Sequence, residues 1–380
     1  MVTSLRQMFY RQYNLTSIDV WTVDTSAVTD MSFMFDNDKI TSVDLSNFDT
    51  SSVTSMGSMF NSCRQLTSLD LSGFDTRNVK DMTSLLMDCE YLQILNISNF
   101  NTSNVTSMIS MFYGCRALTS INIEHFDFSN VTSMISMFYG CRALTSVTGF
   151  AGKDIHSCTD VNNMFFDCDN IKDFDFSGAN LSGVTDMSTM FERCNPESVS
   201  FKNADLSSVT DMSRMFFVQG GRLKTADFSG CDLSKVTDIS SMFAFQTNLT
   251  AVNFGFNMDN VQNADSAFLN CSSLRDFPRI HFAGDSVNIS RLCAVAGGSG
   301  AMIGDLGNYP DISGGTITSM DYAFANQPNM EMIGLFSNIG LTAAPTQAFA
   351  GCSGLKKVYT TQPENEYILA ALNTDLPDKK

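Results

Sequence analysis

Residues Ser103–Ser120 read SNVTSMISMFYGCRALTS, and the same eighteen residues recur at Ser129–Ser146, 26 positions later. A chain that repeats at such a period builds one small structural unit many times over. Each unit buries its apolar face only by stacking on its neighbours. A phenylalanine, usually within Met-Phe, carries the register along the rest of the chain: Phe9, Phe35, Phe60, Phe112, Phe138, Phe165, Phe191, Phe216, Phe243, Phe268, Phe324 and Phe349. Leu86 and Leu292 fill the two remaining slots, giving about fourteen units of roughly 26 residues. Most intervals are 24 to 27 residues; one of 32, between Leu292 and Phe324, marks a disturbance near residues 277–316.

Each unit has two parts. The first is a run of the form L-x-x-L-x-L, such as Leu66, Leu69 and Leu71, or Leu118, Ile121 and Ile123. Its end alternates apolar and polar residues, as a half-buried strand does. In the second part Val105, Met108, Phe112 and Cys115 fall at i, i+3, i+7 and i+10, which predicts one face of a short helix. Thr54, Thr106, Thr132 and Thr210 precede that face where an N-cap belongs. The expected fold is an α/β solenoid, with parallel strands on one side and short helices on the other. It forms one elongated domain over residues 1–358, with an irregular insertion at 277–316. Residues 359–380 are expected to supply a C-terminal helical cap and tail, since Asn365–Asn373, NEYILAALN, reads as an amphipathic helix.

The combined motif is plainest at Leu66–Cys89, Leu92–Cys115 and Leu118–Cys141. It resembles the BspA-like leucine-rich-repeat surface proteins over about residues 2–275, and more loosely over 317–358. The resemblance implies a leucine-rich-repeat-like stack belonging to a cell-surface or secreted protein of bacteria, some protists or their viruses. It implies adhesion or host binding and offers no catalytic residues to carry over. Residues 277–316 depart from the pattern, so it is silent there.

The formal net charge is −17, and Lys and Arg are dispersed. Nucleic acid needs a basic footprint, so it is excluded as a partner, and anionic membrane is disfavoured for the same reason. No run of about 18 apolar residues predicts membrane insertion. No signal peptide is read in the sequence. Residue 1 falls inside a unit, because Val2, Leu5, Met8 and Phe9 align with Val105, Met108, Met111 and Phe112. A stack that starts mid-unit exposes its end, so a neighbouring domain, a subunit or a longer chain is expected there.

The eleven cysteines suggest disulfides until the register is applied. Cys63, Cys89, Cys115, Cys141, Cys168, Cys194, Cys271 and Cys352 all lie three residues after the key Phe or Leu. Cys158 takes a Val slot, and Cys231 a slot that elsewhere holds Phe48, Phe74 or Phe100. In-register copies point the same way, which suits buried free thiols better than bridges. No C-x-x-C pair occurs, and His125, His156 and His281 lie far apart in the register, so no metal or cofactor is expected. Most of the 23 methionines occupy two columns beside the key Phe and read as core.

Stacking turns single residues into ladders. Asp24, Asp49, Asp75, Asn101, Asp127, Asp154, Asn180, Asp205, Asp232 and Asn257 form one, read as Asx turns in preference to a calcium site. A second runs between the strand leucines and includes Asp44, Asp70, Asn96 and Asn122. It is either a solvated sheet face or a surface that binds ligand by hydrogen bonds. Tyr113, Tyr139, Phe166 and Phe217 directly follow the key Phe, and either anchor a partner or pack between rungs. Nine N-x-S/T sequons occur, Asn104 and Asn130 among them.

No G-x-S-x-G, H-E-x-x-H, P-loop or dinucleotide fingerprint is present. The Gly-rich Ala294–Gly307 reads as a loop. The expected role is therefore non-enzymatic: a surface module recognising a host or microbial protein or glycan. The alternative is a structural or receptor-binding part of a larger assembly such as a phage virion fibre. Specificity is expected where the register breaks, at Arg279, His281, Arg291 and Tyr309, because a regular stack offers the same chemistry on every rung.

Overall fold

The computed structural model describes residues 2–376 apart from 13, 20–22, 37–38, 255–257, 276, 278–279, 283, 297–299, 301 and 303–310. These form two units, residues 1–175 with 179–184, and residues 176–178 with 185–380. Each unit is a parallel β-solenoid, and together they hold about 12 turns, against the fourteen units of the sequence register.

In the first unit the predicted strand side is present as three-residue strands, one per rung: β1 (Ser17–Asp19), β2 (Ser42–Asp44), β3 (Ser68–Asp70), β4 (Ile94–Asn96), β5 (Ser120–Asn122), β6 (Ser146–Thr148) and β7 (Asp173–Asp175). A second ladder of single-residue parallel bridges runs Ser4, Asp30, Ser55, Asp81, Ser107, Ser133, Asp160.

Among the described residues the short helices expected after each strand are not found; the one helix lies at the C-terminal end. The Met111, Tyr113 and Cys115 amides donate to the carbonyls of Met108, Ser110 and Phe112, closing turns of three residues' separation. The intervening amides of Met108, Ser110, Phe112 and Gly114 donate to the next rung, at Ser133, Ile135, Met137 and Tyr139. Ser110 and Gly114 have φ of 54° and 70°, the left-handed value that the third residue of a type II turn requires. A left-handed residue every fourth position cannot continue an α-helix. Four-residue turns nevertheless repeat apolar residues at nearly the spacing of a helix, so Met108, Met111, Phe112 and Cys115 still all point inward. The threonines therefore cap nothing. The Oγ1 of Thr54, Thr106, Thr132 and Thr210 donates back to the preceding rung, to the carbonyls of Thr29, Lys80, Thr106 and Thr185, at 3.0–3.1 Å.

The core is a set of columns. Phe112, Phe138 and Phe165 stack with ring centroids 5.2 and 5.1 Å apart. Phe191, Phe216, Phe243 and Phe268 do the same in the second unit at 5.2–5.4 Å. All eleven cysteines are free and buried. Their column has a polar role as well, since the Sγ of Cys63, Cys89 and Cys115 donates to the carbonyls of Phe35, Phe60 and Leu86, the key residues one rung back, at 2.9–3.2 Å. Burial pushes the Cys115 thiol up to about 12. A column of buried threonines, Thr25, Thr50, Thr76 and Thr102, joins successive rungs. Thr50 Oγ1 donates to the Asp75 carbonyl at 3.1 Å and accepts the Asp75 amide at 2.8 Å.

The second unit holds β8 (Ser198–Ser200), β9 (Thr225–Asp227), β10 (Ala251–Asn253), β11 (Ile280–Phe282), β12 (Val287–Asn288), β13 (Asp311–Ser319), β14 (Met332–Ile339), β15 (Lys357–Thr360) and the helix α1 (Glu366–Asp375). Strands β8, β9 and β10 pair continuously, as do β13, β14 and β15, and β11 and β12 pair with β13. Much of the expected insertion is thereby a rung: the amides of Ile289, Arg291 and Cys293 donate to Ser319, Asp321 and Ala323. Asn365 caps α1, its side chain accepting from the Tyr367 and Ile368 amides. Ile368 and Ala371 are buried, and Asp375 accepts the Phe349 amide at 2.9 Å. In earlier rungs that amide position donates to the next rung, as Phe324 does to Ala348, so the carboxylate substitutes for a rung.

Candidate functional site

The outward strand residues are where stacking gathers the sequence candidates. In β3 and β5 the central residue is buried and its two neighbours are exposed, so Asp70 and Asn122 face out. Each candidate closes an Asx turn. Asp44, Asp70, Asn96 and Asn122 accept the amides of Ser46, Ser72, Ser98 and Glu124 through Oδ1 at 3.0, 2.9, 3.3 and 2.8 Å. The backbone and side-chain hydrogen bonds from Ser46 hold the Asp44 carboxyl below its ordinary value, and those from Ser72 do the same for Asp70. The first ladder behaves alike. Asp49 accepts from Ser51, Asn101 from Ser103 and Asp127 from Ser129 at 2.9–3.0 Å, which is the turn geometry.

The strand ladder of the first unit is not continuous. Strands β1 and β2, β3 and β4, and β5 and β6 are paired. Across β3–β4 the Gln93 amide donates to Thr67 and the Leu71 amide to Asn96; across β5–β6 the Thr145 amide donates to Thr119 and the Ile123 amide to Thr148. Among the described residues no such bonds join β2 to β3 or β4 to β5. Both breaks coincide with a groove. The one at β2/β3 has about 330 Å³ and is lined by Asp44, Leu45, Ser46, Asp70, Ser72 and Phe74. The one at β4/β5 has about 260 Å³ and is lined by Asn96, Ile97, Ser98, Ser120, Asn122 and His125. Asp44 and Asp70 are thus brought together in one groove, and Asn96 and Asn122 in the other.

The other candidates are dispersed. Tyr113, Tyr139 and Phe166 stack face to face at 4.6 and 4.7 Å, half-buried, so their rings pack between rungs. Phe217 lies under the Arg214 guanidinium, 4.2 Å from its ring centre. His281 faces out from β11 with Nδ1 3.0 Å from Ser313 Oγ. Arg291 is held by Asp265 at 3.1 Å and by Ser266 Oγ at 3.2 Å. Arg279 and Tyr309 lie outside the described residues. The sequon residues Asn104 and Asn130 donate through Nδ2 to the Arg77 and Ser103 carbonyls at 2.7 Å.

One grouping superficially has the order of a hydrolytic triad. His156 Nδ1 is 2.9 Å from Asp154 Oδ1, and its Nε2 is 3.3 Å from Ser157 Oγ. The Ser157 hydroxyl donates instead to the Ser129 carbonyl at 2.6 Å, so its proton is not presented to the imidazole. No helix among the described residues is long and apolar enough to cross a membrane.

Two family models match the chain. The one described as Mycoplasma protein of unknown function, DUF285, matches residues 3–94, 69–174 and 159–278. The one described as BspA type leucine rich repeat region (6 copies) matches residues 311–370. A search of the curated proteins finds no match. Among solved structures, the chain resembles a leucine-rich repeat protein from Bacteroides ovatus at 17% identity, covering 80% of each chain, with a TM-score of 0.36. It also resembles a Leptospira interrogans leucine-rich repeat protein (12% identity, covering 86% of this chain and 85% of that one, TM-score 0.30) and an internalin from Listeria monocytogenes (13%, 94% and 85%, 0.28).

Proposed function

The chain belongs to the DUF285 family and carries a BspA-type leucine-rich-repeat region after it, and from that premise we propose that it is a non-catalytic binding module of a cell-surface or secreted protein, recognising a protein or a glycan. The observation that carries this reading is the outward strand face. Stacking aligns Asp44 with Asp70 and Asn96 with Asn122 in polar grooves, while the triad-like grouping at His156 turns its hydroxyl away. Repeat solenoids of this construction work by presenting an extended surface. The net charge of −17 selects against polyanionic partners. His281 and Arg291, on the rung that follows Phe277, offer a second recognition point on the same reading.

The test is a binding screen of the purified protein against immobilised extracellular-matrix proteins and a glycan microarray. Saturable binding to at least one class, with no turnover of the bound material, is the expected result. Release of a cleaved or modified product, or no binding to any member, would remove the proposal.

A further inference from the structure

We propose that the groove between β4 and β5 is a binding site for a single neutral sugar residue, the terminal or branch hexose of a glycan. The inference rests on the binding-module reading above and narrows it to one site and one ligand chemistry.

The ladder geometry supplies the first reason. In the paired rungs the amide after the strand donates to its neighbour, as Leu71 does to Asn96 and Ile123 to Thr148. At β4/β5 the corresponding Ile97 amide and Asn122 carbonyl have no such bond. Elsewhere the same two rungs are held in register, since Met108, Ser110, Phe112 and Gly114 donate across them. The opening is therefore local to the strands. Backbone groups in a groove need partners, and here a donor and an acceptor stand on opposite walls.

The lining supplies the second. Ser98 and Ser120 bring hydroxyls, and Asn122, whose Oδ1 accepts the Glu124 amide at 2.8 Å, donates one amide hydrogen to Glu124 Oε2 at 3.5 Å and keeps its second as a donor. His125 Nε2 spans the opening to the Ile97 carbonyl at 2.9 Å. No carboxylate, lysine or arginine lines this groove. A slot that offers both donors and acceptors and no carboxylate, lysine or arginine suits hydroxyl groups, which do both. The lining itself offers an inorganic cation no carboxylate and an inorganic anion no lysine or arginine. Its volume of about 260 Å³ lies below the ~300–1,000 Å³ of drug-sized sites, which suits one sugar ring. A peptide strand would need a longer run of free backbone than three-residue strands provide.

The rim supplies the third. Ile94 stands in the strand column that holds Ser68 and Ser120 in other rungs, and it is 68% exposed. On the same outward face as Asn96, it is an apolar rest for the C–H face of a ring.

The experiment uses the whole chain, deuterated and 15N-labelled, titrated with the methyl glycosides of glucose, galactose and mannose and with N-acetylglucosamine and N-acetylgalactosamine. Expected is a saturable shift of the Ile97, Ser98 and Ser120 amide resonances with at least one probe. Ser120→Ile narrows the mouth and repeats the residue that Ile94 already places in that column, so it is compatible with the fold. It should weaken binding at least tenfold. Ser146→Ile, in the same column on the closed β5–β6 ladder, should change it less than twofold. No shift with any probe, shifts confined to other rungs, or equal loss in both variants would overturn the assignment. If a matrix protein binds while every sugar fails, the sugar site falls and the binding module stands; if neither binds, both fall.

Discussion

Gln246 occupies the slot that most rungs give to cysteine, and its Nε2 donates to the Phe216 carbonyl at 2.5 Å. That is the bond Cys89 Sγ makes to Phe60 and Cys141 Sγ makes to Phe112. Gln327 repeats it, donating to the Cys293 carbonyl at 2.7 Å. The slot therefore selects a buried donor facing the previous rung, and cysteine is its smallest common solution. A disulfide column would remove that donor.

The first prediction follows for the thiols. Under native conditions at pH 8 an alkylating reagent should label at most one or two of the eleven, and all of them after denaturation. Several adjacent-rung disulfides in a non-reducing mass spectrum would refute this.

The same burial makes stability depend on alkaline pH. The thiols of Cys115, Cys158, Cys231 and Cys352 are raised from 9.0 to about 12, 11, 11 and 11 by desolvation. Between those values and 9.0 the folded state holds more protons than the unfolded one, so stability is full below pH 9 and falls as pH rises through 11 to 12. Urea midpoints at pH 8, 9.5 and 10.5 should decline in that order. A flat profile would mean that the thiols ionise equally in both states.

The acid limb has the opposite sign. Hydrogen bonds from Ser26, Ser51 and Ser129 hold the Asp24, Asp49 and Asp127 carboxyls below 3.8. Their contribution is present above that value and is lost as pH falls through the lower folded-state values. In melts between pH 5 and pH 2, Asp49→Asn, which keeps the turn as Asn101 does, should flatten part of the decline. An unchanged slope would show that the turn carboxylates do not drive it.

Packing predictions concern the columns. Phe138→Ala should cost about 3–5 kcal/mol, because it opens a cavity between Phe112 and Phe165. Hydrogen exchange should rise most in the adjoining rungs, as nearest-neighbour coupling requires; a uniform rise through residues 1–175 would contradict it. Thr50→Val leaves the Asp75 amide and carbonyl without their side-chain partner and should cost about 1–3 kcal/mol, with Thr50→Ser restoring most of it.

How much of this could be read from the sequence differs by feature. The Phe, Met and Cys slots were legible because inward columns must repeat the same apolar residue. The Asx turns were legible because Asp or Asn with Ser two residues later is a local motif, as at Asp49 and Ser51. The turns in place of helices were not, because both present apolar residues at three- and four-residue steps. One signal was available: Gly114, Gly140 and Gly351 share the slot two after the key Phe, and all have φ of 70–73°. The grooves were not legible at all. Asp44 and Asp70 look alike in sequence, yet the ladder opens between them and closes between Asp70 and Asn96, which is a property of rung geometry. Which of Tyr113, Tyr139 and Phe166 would be available to a partner was likewise decided by their stacking on one another.

The most direct test of binding through the strand face compares bulky substitutions on two sides of the rung. Ser68→Trp and Ser120→Trp place an indole on the exposed strand column, whereas Lys80→Trp and Lys235→Trp place one at the exposed corner before the second bridge ladder. Affinity for whichever matrix protein or glycan the wild type captures is then measured by surface plasmon resonance. Binding through the strand face predicts at least a tenfold loss for the first pair and less than twofold for the second. Loss confined to the lysine variants, with the strand variants unchanged, would place recognition elsewhere and contradict it.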